Sequence, residues 1–379
     1  MLSGGMIAAS VKARIRRSEL MGSDELGSLL EKGSVREIAA SLAREGAYAQ
    51  LLRGVDLNSV RRSELEFLMS LALLEEGIVF WRYIDDSHRR LLQAWLCTFD
   101  IGLLKSHIRG DAFLAENEEW GHIALDKAME LAAGYRLTLV DGDKLKNAKT
   151  LNEIVASVKD RVLREAMTET MSFEGGGSAV LIDGKRAQLA FSLGMAMDRW
   201  YFDRLYSYVS EVRGSEGSAL RLLVGTRVDL VNLYWIYRAR RFFALSPEEA
   251  LTLILKARFR AKFDVLSAAA FAEPDSFSGV LANTPYAGVF DADPDADDHG
   301  DAWREVEIER NIYRHLMSVV GQIFTANKIG FQNIAAYLTL KETEMRDIVA
   351  VIEAARYGFN KRDAGAILVR APVVRETWE

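Results

Sequence analysis

The sequence is short of the residues that define several protein classes. It has one cysteine, Cys97, in 379 residues, so no internal disulfide framework holds the chain together. Proline occurs only five times, too seldom for a collagen-like or proline-rich chain. Charge interrupts every apolar stretch well before 18 residues, which leaves no candidate for a membrane-spanning helix. The run from Met1 to Val11 is apolar, but its basic residues, Lys12 to Arg17, follow it. A secretory signal has the opposite order. Basic residues are not in excess either. Lys and Arg number 48 against 54 Asp and Glu, a net charge of −6 at pH 7, whereas a nucleic-acid binder is expected to show a basic excess or stripe.

What is present points to helix. The chain is 49% apolar and 27% charged, enough apolar residues to offset chain entropy in a folded core. Plentiful Ala, Leu, Glu, Arg and Met, with apolar spacing near 3.6, predict an all-α fold. Helix starts are legible. Ser34-Val-Arg-Glu37 has the capping-box pattern, a hydroxyl for the third backbone N–H and a carboxylate reaching back. Ser246-Pro-Glu-Glu249 puts proline at the first helical position and acids at the positive end of the dipole. The segment Glu174–Phe191 has two readings. It is either a Gly-rich loop and short hairpin turning at Asp183-Gly184, or a linker running into a helix.

Two patterns recur in order. The first is a carboxylate followed by apolar positions at helical spacing. It occurs at Phe99-Asp100 to Arg109, Val228-Asp229 to Arg238, and Thr343-Glu344 to Glu353, with anchors 129 and 115 residues apart. The second precedes each copy, starting at Ser34, Thr150 and Ser276, which lie 66, 79 and 68 residues before their anchors. Together they predict a tripled helical unit of roughly 110 to 130 residues, divided as 1–115, 116–240 and 241–379.

Catalytic patterns fail. Between Gly177 and Gly184-Lys185 lie six residues, and Arg186 follows. A phosphate loop needs four residues there and Ser or Thr after the lysine. The five histidines, His88, His107, His122, His299 and His315, are scattered. Asp85-Asp86 is followed by Ser-His-Arg, which spoils an aspartate-rich diphosphate motif. The acidic run Asp291–Asp301 fails as a calcium loop, because a register with Gly300 at position six puts Val306 where a bidentate Glu is required. It reads as a solvated loop. Helix-bundle metal sites draw a Glu-x-x-His pair from each of two helices, and this chain has one, Glu119 to His122. No catalytic, cofactor or metal residue is expected. Cys97, in the apolar run Leu91–Phe99, reads as core. Arg238, Arg240 and Arg241 end a helix, where they serve either as a cap on the negative dipole end or as a docking patch for an acidic surface.

Several helical motifs, in this order, resemble the C subunit of bacterial and archaeal V-type (A-type) ATPases, the counterpart of the eukaryotic d subunit. They are Ala8-Ala-Ser-Val-Lys-Ala-Arg-Ile-Arg-Arg17, Ser34 to Leu52, Met197-Asp-Arg-Trp-Tyr-Phe-Asp-Arg-Leu205, Val228 to Arg240, and Ile334-Ala-Ala-Tyr-Leu-Thr-Leu-Lys-Glu-Thr-Glu-Met-Arg346. Asp347 stands where that family commonly has Asn, and the stretch at Asp100 is the weakest match. The likeness runs from about Ala8 to Leu368.

The resemblance implies a funnel of three similar helical domains with pseudo-threefold symmetry. It implies a non-catalytic rotor component on the cytoplasmic face of a membrane complex. Its partners would be the proteolipid ring below and the central shaft, formed by the D and F subunits, above, with no nucleotide or nucleic acid bound. Asp229 with Asn232, and Glu344 with Asp347, each lie one helical turn apart. With Arg238, Arg240 and Arg241 they are the candidate partner-docking or structural residues. The rival reading is a soluble all-α scaffold or adaptor unrelated to ion transport.

Overall fold

The computed structural model describes residues 4–44, 46, 48–58, 62–109, 125–131, 135, 138–173, 183–291 and 300–370. Among them the regular elements are helices, with one isolated antiparallel bridge, Val140 to Val158. The all-α expectation is met. Long helices come in consecutive pairs along the chain. Arg62–Trp81 is followed by Asp86–Arg109, Asp183–Glu211 by Gly214–Arg241, and Gly300–Thr325 by Phe331–Tyr357. Short helices fill the intervals, and three more, Gly4–Ser18, Ser23–Leu30 and Val35–Leu42, precede the first pair.

The chain forms two compact units. One comprises Met1–Met69, Val212–Ile254 and Arg258–Glu379; the other comprises Ser70–Glu211 and Leu255–Ala257. In the first, Leu230, Leu233, Ile236 and Tyr237 of the Gly214–Arg241 helix bury against Leu266, Phe277, Tyr286 and Ile308. The Phe331–Tyr357 helix is buried on every side over its first three turns, from Phe331 to Lys341. Gly4–Ser18, Ser23–Leu30, Val35–Leu42, Gly300–Thr325 and Gly214–Arg241 all pack on that helix, so both ends of the chain belong to one core. In the second unit, Asp86–Arg109 packs on Asp183–Glu211, which packs on Arg161–Phe173. Gly77 allows a close helix crossing there, since a Cβ would fall 2.3 Å from Leu96 Cδ1.

The local signals act as their chemistry requires. Ser246 and Glu249 form a complete capping box with Pro247 at the start of the helix, and so do Thr150 and Glu153. At Ser34 half the box forms. Its hydroxyl accepts the Glu37 N–H, while the Glu37 carboxylate accepts the N–H of Gly33 instead of that of Ser34. Asp183-Gly184 is no hairpin turn, because a helix runs from Asp183 to Glu211. Leu189, Leu193 and Met197, every fourth residue, are fully buried along it, and that helical spacing outweighs the turn signal. Residues 174–182 lie outside the described residues, as do His122, His299, the Glu119–His122 pair and most of the acidic 291–301 run.

Candidate functional site

Asp229 sits in the middle of the Gly214–Arg241 helix and is fully buried. A carboxylate in such a place requires hydrogen-bond donors. Asp229 accepts three consecutive backbone N–H groups from a segment 30 to 32 residues downstream, Phe259 at 2.8 Å, Arg260 at 2.6 Å and Ala261 at 2.8 Å. The Tyr286 hydroxyl donates a fourth bond. Burial, and then the adjacent carboxylate, push the Tyr286 phenol far above its ordinary pKa, which keeps its proton on that bond. Gly225, one turn earlier, makes room for the docked segment: a Cβ there would lie 2.5 Å from the Phe259 ring.

Asp347 on the Phe331–Tyr357 helix repeats the arrangement. It is fully buried and accepts the N–H of Val369 at 2.8 Å and of Arg370 at 3.3 Å, with the Arg370 guanidinium also at 3.3 Å. Asp100 on the Asp86–Arg109 helix does the same with one bond, accepting the N–H of Leu139 at 3.1 Å. Its other oxygen, Oδ1, has no hydrogen-bond partner among the described residues. Burial raises the Asp100 pKa to about 7, against the lowering effect of the Leu139 N–H and of Lys159. The sequence pattern aligns Glu344 with Asp100 and Asp229. The contact those two share, a helix-borne carboxylate holding downstream backbone amides, is made in the last helix by Asp347.

Glu344 does something else. Its Oε1 accepts the N–H of Met21 at 2.7 Å, and its Oε2 accepts the Tyr48 hydroxyl at 2.7 Å and the Lys341 ammonium at 2.6 Å. Lys341 and Glu344 are both buried, and the ammonium also lies 4.0 Å from the centre of the Tyr48 ring. Burial and the neighbouring Glu344 hold the Tyr48 hydroxyl well above its usual pKa. Arg370 completes the cluster by donating to Met21 O at 2.8 Å. Lys341, Glu344 and Asp347 of one helix and Arg370 beyond its end thereby match two cations with two anions, joining segments from both ends of the chain. Lys341, Tyr48, Tyr286 and Arg370 are the partners that the sequence patterns do not single out. Lys341, three residues before Glu344 in an otherwise apolar run, is the readable signal among them.

Asn232 is buried one turn after Asp229. The basic helix end is engaged within its own unit. Arg238 pairs with Glu305 at 2.6 Å, Arg240 donates to Leu245 O at 2.7 Å, and Arg241 pairs with Asp275 at 2.8 Å. These contacts and the dipole suit a cap. Cys97 is buried, its thiol pushed up by burial. Among the described residues no group of three His, Cys, Asp or Glu side chains is placed to hold a metal ion. No helix among them is long and apolar enough to cross a membrane.

These polar clusters are occupied by the protein's own groups, and their chemistry is that of fastening. A match to known families agrees with such a chain. The family described as ATP synthase (C/AC39) subunit matches residues 9–365. The chain belongs to this family. It is also similar to a protein named as the C subunit of an A-type ATP synthase, from Methanosarcina mazei, 23% identical over 266 residues. That match covers 70% of this chain and 63% of the relative, so the chain spans less than two thirds of the relative's length. Family membership accords with the motifs around Asp229 and Glu344, whose residues the structure places in buried networks.

Proposed function

We propose that the protein is a non-catalytic central-stalk component of a V-type or A-type ATP synthase, seated on the cytoplasmic side of the membrane. It couples the proteolipid ring to the D and F subunits of the shaft and transmits torque between them during ion transport. The family match over residues 9–365 carries this reading. The physical arrangement supports it. An adaptor under torque must not shear, and close-packed interiors transmit strain with little compression. Three long helices are bonded through Asp100, Asp229 and Asp347 to backbone 22 to 39 residues away. We read these three carboxylates as equivalent points of three similar helical domains, 1–115, 116–240 and 241–379. The first boundary falls outside the described residues. A soluble scaffold unrelated to ion transport is the rival, and no observation favours it.

The test is co-purification. An affinity-tagged chain, expressed in its own cells, should bring down the proteolipid and the shaft proteins from detergent-solubilised membranes. Recovery in the soluble fraction without them would sink the reading. Calorimetry on the isolated protein should show no saturable ATP binding.

A further inference from the structure

The N-terminal helix Gly4–Ser18 has two apolar faces. Met6, Ala9, Ser10 and Ala13 form the buried one, against the Phe331–Tyr357 helix. Ile7, Val11 and Ile15 lie outside it, 42%, 48% and 55% exposed. They recur every fourth residue and so form one ridge along the helix. Single exposed aliphatic residues are ordinary on a protein surface; a row of three on one helix offers a strip that a partner can cover. The helix is not free to roll the row inward. Ser10 Oγ donates to Gly330 O at 3.1 Å and accepts the Gly330 N–H at 3.0 Å. Arg14 donates to Phe324 O at 3.4 Å, and Arg17 lies 4.6 Å from the centre of the Phe324 ring. Ile329, 40% exposed, adjoins the glycine that Ser10 holds.

We propose that this ridge docks an acidic amphipathic helix of another polypeptide. Three features select that occupant. Branched aliphatics at i, i+4 and i+8 make the ridge that fits the groove of a second helix. The helix carries Lys12, Arg14 and Arg17 and no acid, Arg16 being paired with Glu19 just beyond its end, and Lys328 is exposed in the adjoining loop, so the flanks complement carboxylates. It has no aromatic residue, whereas helices that lie in a bilayer surface commonly bury Trp or Phe. One helix against one ridge is a small contact, and it gains strength from the other contacts of an assembly. The inference rests on the chain being part of a multi-protein complex and goes beyond the ring and shaft reading.

The experiment uses Val11→Cys labelled with a photoactivatable maleimide, in the complex purified in detergent. Cys97 is buried with its thiol pushed up, so within this chain the reagent goes to the new site. Glu169→Cys, at an exposed position of Arg161–Phe173, is the control. The expected product joins position 11 to a segment of another polypeptide that is rich in Asp and Glu and has apolar residues every three or four positions. Its yield should exceed the control at least fivefold. Ile15→Ser in the same background should cut that yield severalfold and leave the melting temperature of the isolated protein unchanged. A product confined to this chain or to lipid, or a yield equal to the control, overturns the inference. So does tight binding of the isolated chain to phosphatidylglycerol vesicles that Ile15→Ser abolishes. If the chain co-purifies with ring and shaft but position 11 fails, only the ridge falls; if it co-purifies with nothing, both readings fall.

Discussion

Asp229 and Asp100 occupy like positions in two long helices, yet their surroundings differ sharply. Both are buried, and both hold backbone from a downstream segment. Asp229 is matched by three N–H groups and a phenol. Among the described residues, Asp100 has one N–H and an oxygen with no partner. One carboxyl group is surrounded by donors; at the other, burial raises the pKa to about 7. The lesson is that position within a helical pattern does not fix how fully a buried carboxyl group is hydrogen-bonded. The number of donors that the partner segment supplies does.

The largest expected effect breaks the well-matched site. Asp229→Ala leaves three amides and a tyrosine hydroxyl in the core without an acceptor. At about 1 kcal/mol or more for each stranded donor, the loss is about 4 kcal/mol. Hydrogen exchange at Phe259, Arg260 and Ala261 should accelerate together. Asp100→Ala strands one amide and removes an unfavourable buried group, so its loss in urea unfolding should be about 1 kcal/mol. Equal losses at the two positions would end the comparison.

The charged cluster on the last helix gives the next effect. Lys341→Met leaves Glu344 buried without its cation, and Glu344→Gln leaves Lys341 without its anion. Each should lose about 3 kcal/mol, because breaking a buried pair leaves an uncompensated charge. The double variant should lose clearly less than the two single losses added together. Strict additivity would mean that the pair is not coupled.

Much of this is legible in the sequence, and for identifiable reasons. Ser246-Pro-Glu-Glu249 announces a helix start because capping is local chemistry, and the box forms. Asp100 and Asp229 stand out because a carboxylate amid apolar helical spacing is anomalous. The third anchor is harder. Glu344 and Asp347 are one turn apart, both buried, and only the fold shows which one receives downstream amides. Tyr48 and Arg370 are invisible as partners, since 296 residues separate Tyr48 from Glu344 and 349 separate Arg370 from Met21. Periodicity carries no information about contacts at that range.

A pH series tests the charge state of Asp100. Asp100 has its pKa raised from 3.8 to about 7 in the folded protein. Below pH 4 both folded and unfolded chains hold its proton, and its contribution is fully present. Between pH 4 and 7 the unfolded chain releases the proton first. The folded state then binds more protons, and stability falls with rising pH by up to about 1.4 kcal/mol per unit. Above pH 7 both forms are ionised and the contribution is flat. Asp100→Asn removes this slope. Its stability relative to the parent should therefore rise from pH 4 to 7 and level off. A difference that is constant across that window would show that Asp100 is ionised in the fold at all these pH values.

The smallest effect lies at the end of the Asp229 helix, twelve residues on, where the anchor is an ion pair at the surface. Arg241 meets Asp275 at 2.8 Å, but the Asp275 side chain is 75% exposed. Exposed pairs contribute about 0.5 kcal/mol, since water screens the attraction and ordering two side chains costs entropy. Arg241→Glu also places an acid at the negative end of the helix dipole, a penalty of similar size. The combined loss should be about 1 kcal/mol, well under that of Asp229→Ala in the same helix. Salt tells which role the arginine has. If it only caps the helix, reversal lowers the melting temperature and leaves unchanged the salt concentration that releases the protein from membranes stripped of their catalytic head. If Arg241 also docks on an acidic partner, reversal lowers that salt concentration, because the Debye length shrinks to about 3 Å at 1 M and rim contacts weaken with it. The geometry, with Arg238, Arg240 and Arg241 all engaged inside their own unit, leads us to expect the first outcome. A shifted release point with an unchanged melting temperature would overturn it.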